Sequence, residues 1–511
     1  MFGLVGPIGV DMSAIDHTLA SALSSVGYST HSIRVTELMT QIDVDVEMIT
    51  DSADPLKHYE SRIDYANAVR ARCQSDAALA ALAIHAIRST RVAANGVASG
   101  TINDLADLPL EKHAYILRQF KRREEIELLR KVYGRKFVQV SVNVDADERA
   151  KSLALKMAVQ NPNLDQRACE DFASKLIERD LDERAVEHGQ RIGDVFHLGD
   201  VFVDARTDAT TEATIRRFIE AFFGKNSLSP SPDEYGTYMA ASAALRSLDT
   251  SRQVGAAIFT QHSEVIALGS NEVPKAGGGT YWGNDIHPHR DFDEGHDANT
   301  TNKQRLLFDL VRRLRLGNFI STEKTDVELF SEVAASPSVE EALVLDITEF
   351  GRMTHAEMNA ITDAARLGRP TKGGILYCTT FPCHNCAKHI VAAGIDRVVY
   401  IEPYPKSRAL DLHYDSITTN PDDSKRVLFE HFHGISPRRY RDIFEKQKRR
   451  NADGTLAEWY EGQPAPRVED RSPFYVYNEA SAILSGLNEV AVELGIISEI
   501  FADPPDELTQ E

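Results

Sequence analysis

Apolar and polar residues alternate in blocks along the first 225 positions, in the order expected of strands and helices. The opening stretch FGLVGPIG is an apolar run that enters a glycine-containing turn, and DMSAIDHTLASALSSVGY then carries apolar residues at helical spacing as far as Gly27. The stretch KFVQVSVNVDADERAKSLALKMA repeats this order, with a β-branched strand to Val144 and a helix from about Ala146. Because strands that alternate with helices form parallel sheets, we expect a parallel α/β domain over residues 1–225.

A second series of elements follows the stretch FFGKNSLSPSPDEYG, Phe222–Gly236, which is rich in Ser, Pro and Gly and is the best candidate for a domain boundary. A long polar insertion, at about 276–349, interrupts this series, and an insertion of that size is usually functional or disordered. We predict a second α/β domain over residues 226–511. Its expected elements are, in order, YMAASAALRSLD (helix), QVGAAIFT and EVIALGSNEVP (strands), THAEMNAITDAARLG (helix), GGILYCTT (strand), CHNCAKHIVAAG (helix) and RVVYIEPY (strand).

Composition narrows the class of protein. The chain has 511 residues and a formal net charge of −20, which opposes non-specific attraction to the phosphates of nucleic acid. It has no apolar run of the roughly 20 residues that a membrane helix needs, and its N-terminus lacks the pattern of a signal peptide. Its five cysteines are too few for a disulfide framework. We therefore expect a soluble cytoplasmic protein without a membrane partner.

The chemistry is concentrated in two short motifs. THAEMNA places His355 and Glu357 near the start of a helix, and FPCHNCAKH places Cys383 and Cys386 after a proline. One imidazole and two thiolates would leave a fourth position on Zn²⁺ for water, and zinc lowers the pKa of that water towards 7. Glu357 could take the water proton and deliver it to a leaving group. The motifs therefore predict a hydrolytic zinc site.

Two other interpretations of the cysteine pair are open from the residues alone. A closed structural zinc site could use His384 or His389 as a fourth ligand, and a C-x-x-C pair could be redox-active. Neither explains Glu357 or the preceding proline. Cys378, on the strand GGILYCTT, is expected to be a small buried hydrophobe. The insertion also holds histidines that could bind a second metal, namely His287, His289 and His296.

The arrangement H-x-E followed by P-C-x-x-C is the signature of zinc-dependent nucleobase deaminases. The stretches SRQVGAAIF, GSNEVP, HAEMNAI and YCTTFPCHNCAKHIVAAGIDRVVY resemble, in sequence and order, the deoxycytidylate deaminases of the cytidine deaminase superfamily. This resemblance implies an α/β/α domain in which His355, Cys383 and Cys386 hold zinc and Glu357 moves protons. It also implies that Asn271, in the position of the family's "GYN" loop, holds the sugar or phosphate.

The two-part organisation resembles bacterial antiphage deoxycytidine nucleotide deaminases, in which a P-loop kinase-like domain precedes the deaminase. The stretches YPKSRALDLHYDSI, FHGISPRRY and GQRIGDVFHLGDVFVDA contribute to this resemblance. It implies conversion of dCTP, dCMP or both to the uracil nucleotide, which depletes a pool needed by viral DNA synthesis. It further implies a homo-oligomer and regulation by a small RNA or a nucleotide effector.

The stretch GPIGVDMS, which includes Gly9, can be aligned with the phosphate-binding pattern G-x-x-x-x-G-K-S. Gly6 and Ser13 match, but Asp11 replaces the second glycine and Met12 replaces the lysine. Without that lysine, NTP hydrolysis is not expected. Weak nucleotide binding at Gly6, Gly9 and Ser13 and a purely structural loop both stay open, as does an active kinase.

Backbone groups at Ala356 and the Cys383 turn are expected to read the base. Arg and Lys suit phosphates, but surface charge is an equally good explanation of each candidate. The substrate-binding candidates are Arg252, Asn271, Lys275, Lys406 and Arg408.

Two alternatives to nucleotide deamination are open. Deamination of cytosine in single-stranded nucleic acid would need a basic channel and stacking aromatic residues such as Tyr281 and Trp282. The other alternative is a regulatory sensor that binds RNA or a nucleotide.

Overall fold

The computed structural model describes residues 1–49, 55–96, 108–160, 164–183, 186–340, 342–468 and 475–496. The chain divides into two compact units. Unit 1 combines Met1–Glu234 with the described residues from His433 onward, and unit 2 is Tyr235–Phe432. The predicted division at 225/226 assigned everything after it to the second domain, and the structure differs for the segment that begins at His433.

Unit 1 is built on a six-stranded sheet in the order β12-β5-β4-β1-β3-β2. Strands β1 to β5 are parallel to one another, and β12 pairs antiparallel with β5. The inner strands are buried along almost their whole length because parallel strands are covered on both faces, whereas the edge strand β2 is polar and mostly exposed. The strands are β1 Phe2–Val5, β2 Ser29–Arg34, β3 His113–Arg118, β4 Val138–Asn143, β5 Val201–Asp204 and β12 Gly434–Ile435.

Helices cover both faces of this sheet. Neighbouring strand residues enter opposite cores: Leu4 packs with Ile15 on one face, and Val5 packs with Ile84 on the other. The helices are α1 Met12–Ser25, α2 Val35–Leu38, α3 Pro55–Arg72, α4 Ala78–Asn95, α5 Arg123–Tyr133, α6 Ala146–Gln160, α7 Gln166–Leu181, α8 Ile192–Phe196 and α9 Asp208–Phe222, followed later in the chain by α18 Pro437–Phe444, α19 Tyr475–Leu487 and α20 Val490–Glu493. Unit 1 also has two 3-10 turns, Met39–Gln41 and Gly134–Lys136, among its described residues.

Buried ion pairs attach the C-terminal segment to unit 1. Arg439 of α18 donates to Asp200 just before β5, and the carboxylate of Glu479 in α19 accepts from Arg91 and from the hydroxyl of Tyr133. Because β12 has only two residues and these partners are hundreds of positions away, no local periodicity in the sequence could indicate this return of the chain.

Unit 2 contains a second six-stranded sheet, in the order β10-β11-β9-β8-β6-β7. Strand β6 is antiparallel to β7 and β8, whereas β8, β9, β11 and β10 are parallel. Both units are therefore mixed α/β. The strands are β6 Gly255–Phe259, β7 Val265–Ser270, β8 Ile375–Thr380, β9 Arg397–Glu402, β10 Ile417–Thr418 and β11 Val427–His431.

Two glycines allow helices to approach the two faces of this sheet. A Cβ atom on Gly255 would lie 2.0 Å from the carbonyl oxygen of Ala240 in α10, and one on Gly269 would lie 2.1 Å from that of Ala356 in α15. Gly255 and Gly269 are offset by one residue in the β6–β7 register and therefore face opposite sides. The helices are α10 Pro232–Ala244, α15 Ala356–Arg366, α16 His384–Ala392 and α17 Ala409–Leu412.

The predicted insertion at about 276–349 has its own secondary structure. Helices α12 and α13 pack around a small apolar cluster that contains Leu307, Val311 and Leu329. The insertion therefore forms a helical substructure with a core of its own. Its elements are α11 Asp291–Glu294, α12 Ala298–Leu316, α13 Asp326–Ala334, α14 Pro337–Glu340 and a 3-10 turn at Leu343–Asp346.

Among the helices that the structure describes, none is both long enough and apolar enough to cross a membrane.

Candidate metal centre and active site

The starts of two helices bring the predicted metal ligands together. His355 is the N-cap of α15, and Cys383, which follows β8 after Phe381 and Pro382, is the N-cap of α16. Cys386 lies in the first turn of α16, and its amide N–H donates to the Cys383 sulfur. Both cysteines are therefore close to the partial positive charge of a helix N-terminus, which favours the thiolate form.

The three side chains form a compact group. The Nδ1 atom of His355 lies 3.3 Å from the Sγ atom of Cys383 and 3.3 Å from that of Cys386. Nitrogen and sulfur ligands placed tetrahedrally around zinc, at the usual bond lengths, are about 3.4–3.8 Å apart, so the geometry fits zinc. Within the described part of the chain this is the one group of three or more His, Cys, Asp or Glu residues close enough to hold a metal.

Other histidines do not join this group. The Nδ1 atom of His389 contacts the carbonyl oxygen of Asn385, and His384 is not among the clustered ligands. His289 pairs with Glu294, and it is not part of a group of metal ligands among the described residues. The described residues thus supply three ligands, which leaves room for a water molecule and argues against a closed four-ligand site.

The electrostatics of the group suit metal binding. Hydrogen bonds from Cys386 and His355 lower the pKa of Cys383 to about 3, so its sulfur is a thiolate at neutral pH. The contact with Cys383 in turn raises the pKa of His355 to about 9, and it raises the pKa of Cys386 as well. A cation that binds these ligands would displace the protons held by His355 and Cys386.

Glu357 lies beside the ligands without belonging to them. It is in the first turn of α15, its side chain is buried, and its Oε2 atom lies 3.4 Å from the Sγ atom of Cys386. Burial raises the pKa of this carboxyl group, while the charge of His355 opposes the shift. A buried carboxyl group in this position can accept a proton and release it again, which is the role that the motif predicts for Glu357.

Two residues that sequence reasoning did not single out place α15. The side-chain N–H of Asn359 donates to the carbonyl oxygen of Ser270 at the end of β7. Gly269 lets β7 approach the first turns of the helix, because any side chain there would meet backbone atoms of α15. The motif HAEMNA contains Asn359, but its partner on β7 could not be inferred from spacing.

The structure gives Asn271 a role inside the protein. Its side chain accepts from the amide of Val254 and donates to the carboxylate of Asp249 and the carbonyl of Arg252. Both N–H groups of the amide are therefore used within the chain, and Asn271 is buried. It fixes the loop 249–254. The direct contact with sugar or phosphate that the family resemblance implies for Asn271 stays a prediction.

Arg252 lies at the edge of the metal centre. Its guanidinium stacks over the ring of Tyr404, 4.8 Å from the ring centroid, and it lies 3.3 Å from the carboxylate of Glu402. Tyr404 packs in the same apolar cluster as Cys383. The Arg252 side chain is 41% exposed, so its charge is available to a ligand.

The other substrate-binding candidates lie in different surroundings. Lys275 is paired with Asp285 and Lys406 with Asp346, both within the insertion, while Arg408 is exposed and contacts Asp411 at 3.9 Å. Ala356 is fully buried at the first turn of α15. The hydroxyl of Ser407 donates to the carbonyl of Pro382 and so ties the loop 403–408 to the metal motif, a contact without a sequence signal.

One face of the Trp282 ring is covered, although the side chain as a whole is exposed. The guanidinium of Arg246 lies 3.7 Å from the ring centroid and is held by the carbonyl and hydroxyl groups of Thr280. A nucleobase would have to displace this cation in order to stack on that face, which weakens the case for a single-stranded nucleic acid substrate.

In unit 1 the residues predicted to bind a nucleotide, Gly6, Gly9 and Ser13, lie on the β1–α1 loop and at the start of α1. Gly9 has a positive φ of 96°, and a Cβ atom on Gly6 would lie 2.0 Å from the Met12 side chain. The amide of Ser13 donates to Asp11, and its hydroxyl accepts from Arg118. The polar groups of Ser13 are therefore satisfied within the protein.

Comparison with known proteins agrees with the geometry of unit 2. Residues 230–402 match the family model described as the cytidine and deoxycytidylate deaminase zinc-binding region. This part of the chain is therefore similar to the zinc-binding region of those deaminases, in agreement with the resemblance stated from the motifs. This match includes His355, Glu357, Cys383 and Cys386.

Individual relatives are similar over different lengths. ComE operon protein 2 of Bacillus subtilis is 49% identical over 53 residues, which are 10% of this chain and 28% of that protein. Deoxycytidylate deaminase of Enterobacteria phage T4 is 48% identical over 54 residues, 11% of this chain and 28% of the phage protein. The mouse deoxycytidylate deaminase is 26% identical over 213 residues, 42% of this chain and 82% of the mouse protein. The chain thus spans less than a third of the length of the Bacillus and phage T4 proteins.

Solved structures give a weak overall match. The dCMP deaminase of cyanophage S-TIM5 in apo form is 18% identical and has a TM-score of 0.22, over 40% of this chain and all of that chain. Its complex with dCMP and dUMP has a TM-score of 0.23 at the same identity and coverage.

Proposed function

We propose that this protein is a zinc-dependent hydrolase that deaminates free deoxycytidine nucleotides, dCMP, dCTP or both, to the uracil nucleotides. One observation carries the proposal: three ligands converge on a position with no fourth protein ligand among the described residues, and a buried carboxyl group lies beside them. The match of residues 230–402 to the deaminase zinc-binding region supports the reaction class.

His355, Cys383 and Cys386 would hold the zinc ion, which supplies the Lewis acidity that makes water a nucleophile at neutral pH. Glu357 accepts a proton from the attacking water and delivers it to the pyrimidine ring. Addition of water at C4 gives a tetrahedral adduct on the base. Glu357 then takes the proton of the new C4 hydroxyl group and transfers it to the amino group, which leaves as ammonia, so that cytosine and water become uracil and ammonia.

The substrate class follows from charge and position. Arg252 is an exposed cation that stacks on Tyr404, and Tyr404 and Cys383 pack against the same apolar cluster. A guanidinium suits a phosphate, which favours nucleotides over free cytidine. The net charge of −20 favours a free nucleotide over single-stranded DNA. Depletion of the dCTP pool during phage infection is the biological role that we propose.

The decisive test is a product assay. Purified protein is incubated separately with dCMP, dCTP, CTP, cytidine and a cytosine-containing single-stranded DNA, while ammonia and uracil products are measured. We expect a deoxycytidine nucleotide to be consumed fastest. Turnover of the DNA alone would support the alternative substrate, and tight RNA binding without any turnover would support a regulatory sensor.

A further inference from the structure

Arg352 joins the insertion to the segment that leads to His355. Its guanidinium donates to the carboxylate of Asp291, at 3.1 Å, and to the carbonyl oxygen of His289, at 2.8 Å. Asp291 begins α11 and its side chain is 2% exposed, whereas the Arg352 side chain is 39% exposed. Because Arg352 precedes His355 by three positions, the insertion contacts the chain directly before a metal ligand.

The same segment is also attached to the sheet of unit 2. The backbone of Thr354 exchanges two hydrogen bonds with that of Glu272, at 3.1 and 3.2 Å. Glu272 lies just after β7 and is buried, so it fixes Thr354 to the sheet. Loss of the Arg352 contact would remove the attachment to the insertion and leave the attachment to the sheet, so the direction in which the chain enters α15 would be less well defined.

The insertion also contacts the loop that is tied to the cysteine motif. The ammonium of Lys406 lies 2.6 Å from the carboxylate of Asp346, at the end of a 3-10 turn of the insertion. The hydroxyl of Ser407, the next residue, donates to the carbonyl oxygen of Pro382 at 2.8 Å, and Pro382 directly precedes the first cysteine ligand. The ion pair is exposed on both sides, so we expect it to contribute less than a pair with a buried partner.

Helix α12 connects these two attachment points. It begins shortly after α11, and its side chains hold the turn that carries Asp346. The amide of Asn299 donates to the carbonyl oxygen of Ile347 at 3.0 Å, and the ammonium of Lys303 donates to that of Leu345 at 2.8 Å. The beginning and the end of the insertion therefore form one block, which contacts the chain beside both metal-binding motifs.

We propose that Arg352 is a positioning residue of the metal centre, and that the insertion, through Asp291 and Asp346, holds the histidine and cysteine motifs at the spacing that metal binding requires. The inference rests on the proposed function, because it gives the insertion a role in the same site. A tetrahedral site tolerates little change in the separation of its ligands, so loss of either attachment should lower the metal affinity. Movement of the insertion would thus change the occupancy of the metal centre.

The first measurement is the affinity of the metal-free, full-length protein for Co²⁺, followed by the absorption of the cobalt–thiolate bonds. Arg352→Met keeps the aliphatic stem and removes the guanidinium. We expect it to bind Co²⁺ about tenfold more weakly than the wild type, the lower end of the loss seen when an outer-shell partner of a metal ligand is removed. Arg352→Lys, which can still pair with Asp291, should recover part of this loss. Asp346→Asn should lose less affinity than Arg352→Met.

Arg426→Met is the matched control. The Arg426 side chain is 37% exposed, pairs with Asp423 and donates to the carbonyl oxygen of Tyr414 at 2.7 Å. The substitution therefore removes the same charge and the same kinds of contact in the turn that precedes β11. Its Co²⁺ affinity should equal that of the wild type. An unchanged affinity in Arg352→Met, or an equal loss in Arg426→Met, would overturn the proposal.

A double-mutant cycle tests whether the contact between Arg352 and Asp291 is responsible. Asp291→Asn should weaken Co²⁺ binding, because it removes the charge that the guanidinium meets. The double variant Arg352→Met with Asp291→Asn should lose no more affinity than the more affected single variant, since both substitutions break one contact. Additive losses, or no loss in Asp291→Asn, would overturn the assignment of Asp291 as the anchor of Arg352.

Kinetics on the zinc-loaded protein separate this inference from the proposed reaction. In Arg352→Met, kcat for the deoxycytidine nucleotide should fall while KM stays within about twofold of the wild-type value, because His355 and Glu357 share the start of α15. A rise in KM with unchanged kcat would make Arg352 a substrate contact and overturn the proposal. A wild type that binds Co²⁺ but deaminates no nucleotide would overturn the proposed reaction alone, and one that binds no Co²⁺ would overturn both.

Discussion

The Oε2 atom of Glu357 lies 3.4 Å from the Sγ atom of Cys386, and Glu357 is not one of the three clustered ligands. The carboxyl group is thus beside the metal position and is not a ligand. This relationship separates metal binding from proton transfer, so the two can be tested independently.

Glu357→Gln should abolish proton transfer and keep the metal. We expect the turnover of deoxycytidine nucleotides to fall by about 10²–10⁴-fold, the usual contribution of general acid and base catalysis, while the zinc content stays near that of the wild type. Product formation and metal analysis on the same sample check this. Glu264→Gln, on the exposed β6–β7 turn, is the control and should leave both unchanged. Full turnover by Glu357→Gln would contradict the proposed proton path.

Gly269→Ala should disturb the metal centre from a distance. The added Cβ atom would approach the carbonyl oxygen of Ala356 to 2.1 Å and the amide of Ala360 to 2.6 Å, so α15 must shift away from β7. Because His355 and Glu357 begin that helix, we expect lower zinc content and lower turnover together. Gly283→Ala is the control, since no atom lies within 4 Å of its added Cβ. Normal zinc content in Gly269→Ala would show that α15 tolerates the shift.

Asn271→Ala should release the loop 249–254. Loss of the acceptor leaves the amide of Val254 unpaired in a mostly buried position, which costs about 1–3 kcal/mol of the free energy of unfolding. Because this loop carries Arg252, the KM for the nucleotide should rise as well. Urea denaturation and steady-state kinetics measure the two effects. Asn420→Ala, in an exposed turn, is the control and should change neither the stability nor the KM. An unchanged stability for Asn271→Ala would argue instead that Asn271 contacts the substrate directly.

Arg252→Ala should weaken the binding of phosphorylated substrates. Loss of a charge-assisted hydrogen bond predicts a KM for dCMP or dCTP that is about tenfold higher or more, with little change for cytidine. Arg408→Ala makes the same charge change at a more exposed residue and should have a smaller effect. If Arg408→Ala raised KM more than Arg252→Ala, the phosphate would have to bind nearer to the 403–408 loop.

Glu479→Gln should destabilise unit 1. The Glu479 carboxylate is buried and accepts from Arg91 and Tyr133, and removal of one partner from a buried ion pair costs about 3–5 kcal/mol. The exposed pair between Arg72 and Glu493 is the matched control: Glu493→Gln should cost less than about 1 kcal/mol. Denaturation curves of the two variants compare them directly, and equal losses would contradict the predicted difference.

The metal ligands could be predicted because each motif is local and its chemistry is specific. His355 and Glu357 are two positions apart and the two cysteines are three positions apart, so the only further inference needed was that the two motifs lie close together in the fold. The strand, loop and helix order of the first domain was visible for the same reason.

The remaining features depend on contacts between distant positions. Gly269 packs against the backbone of α15, and Asn271 binds the backbone of the loop 249–254. Spacing along the chain cannot reveal either contact. The Asp180 carboxylate at the β1–α1 loop is a similar case, since its partners Ile8 and Lys121 are far away in sequence. The attachment of the segment from His433 onward to unit 1 depends on a two-residue strand and on buried ion pairs.

The pairing of β12 with β5 has a consequence for synthesis on the ribosome. Unit 2 has all six of its strands once residue 432 has emerged, whereas unit 1 still lacks an edge strand and the acidic partner of Arg91 at that moment. Unit 1 can therefore complete its sheet only after the whole of unit 2 has been synthesised. A polypeptide that stops after residue 234 would lack β12 and the Glu479 partner of Arg91, so a separate unit 1 should join Met1–Glu234 directly to the segment that starts at His433.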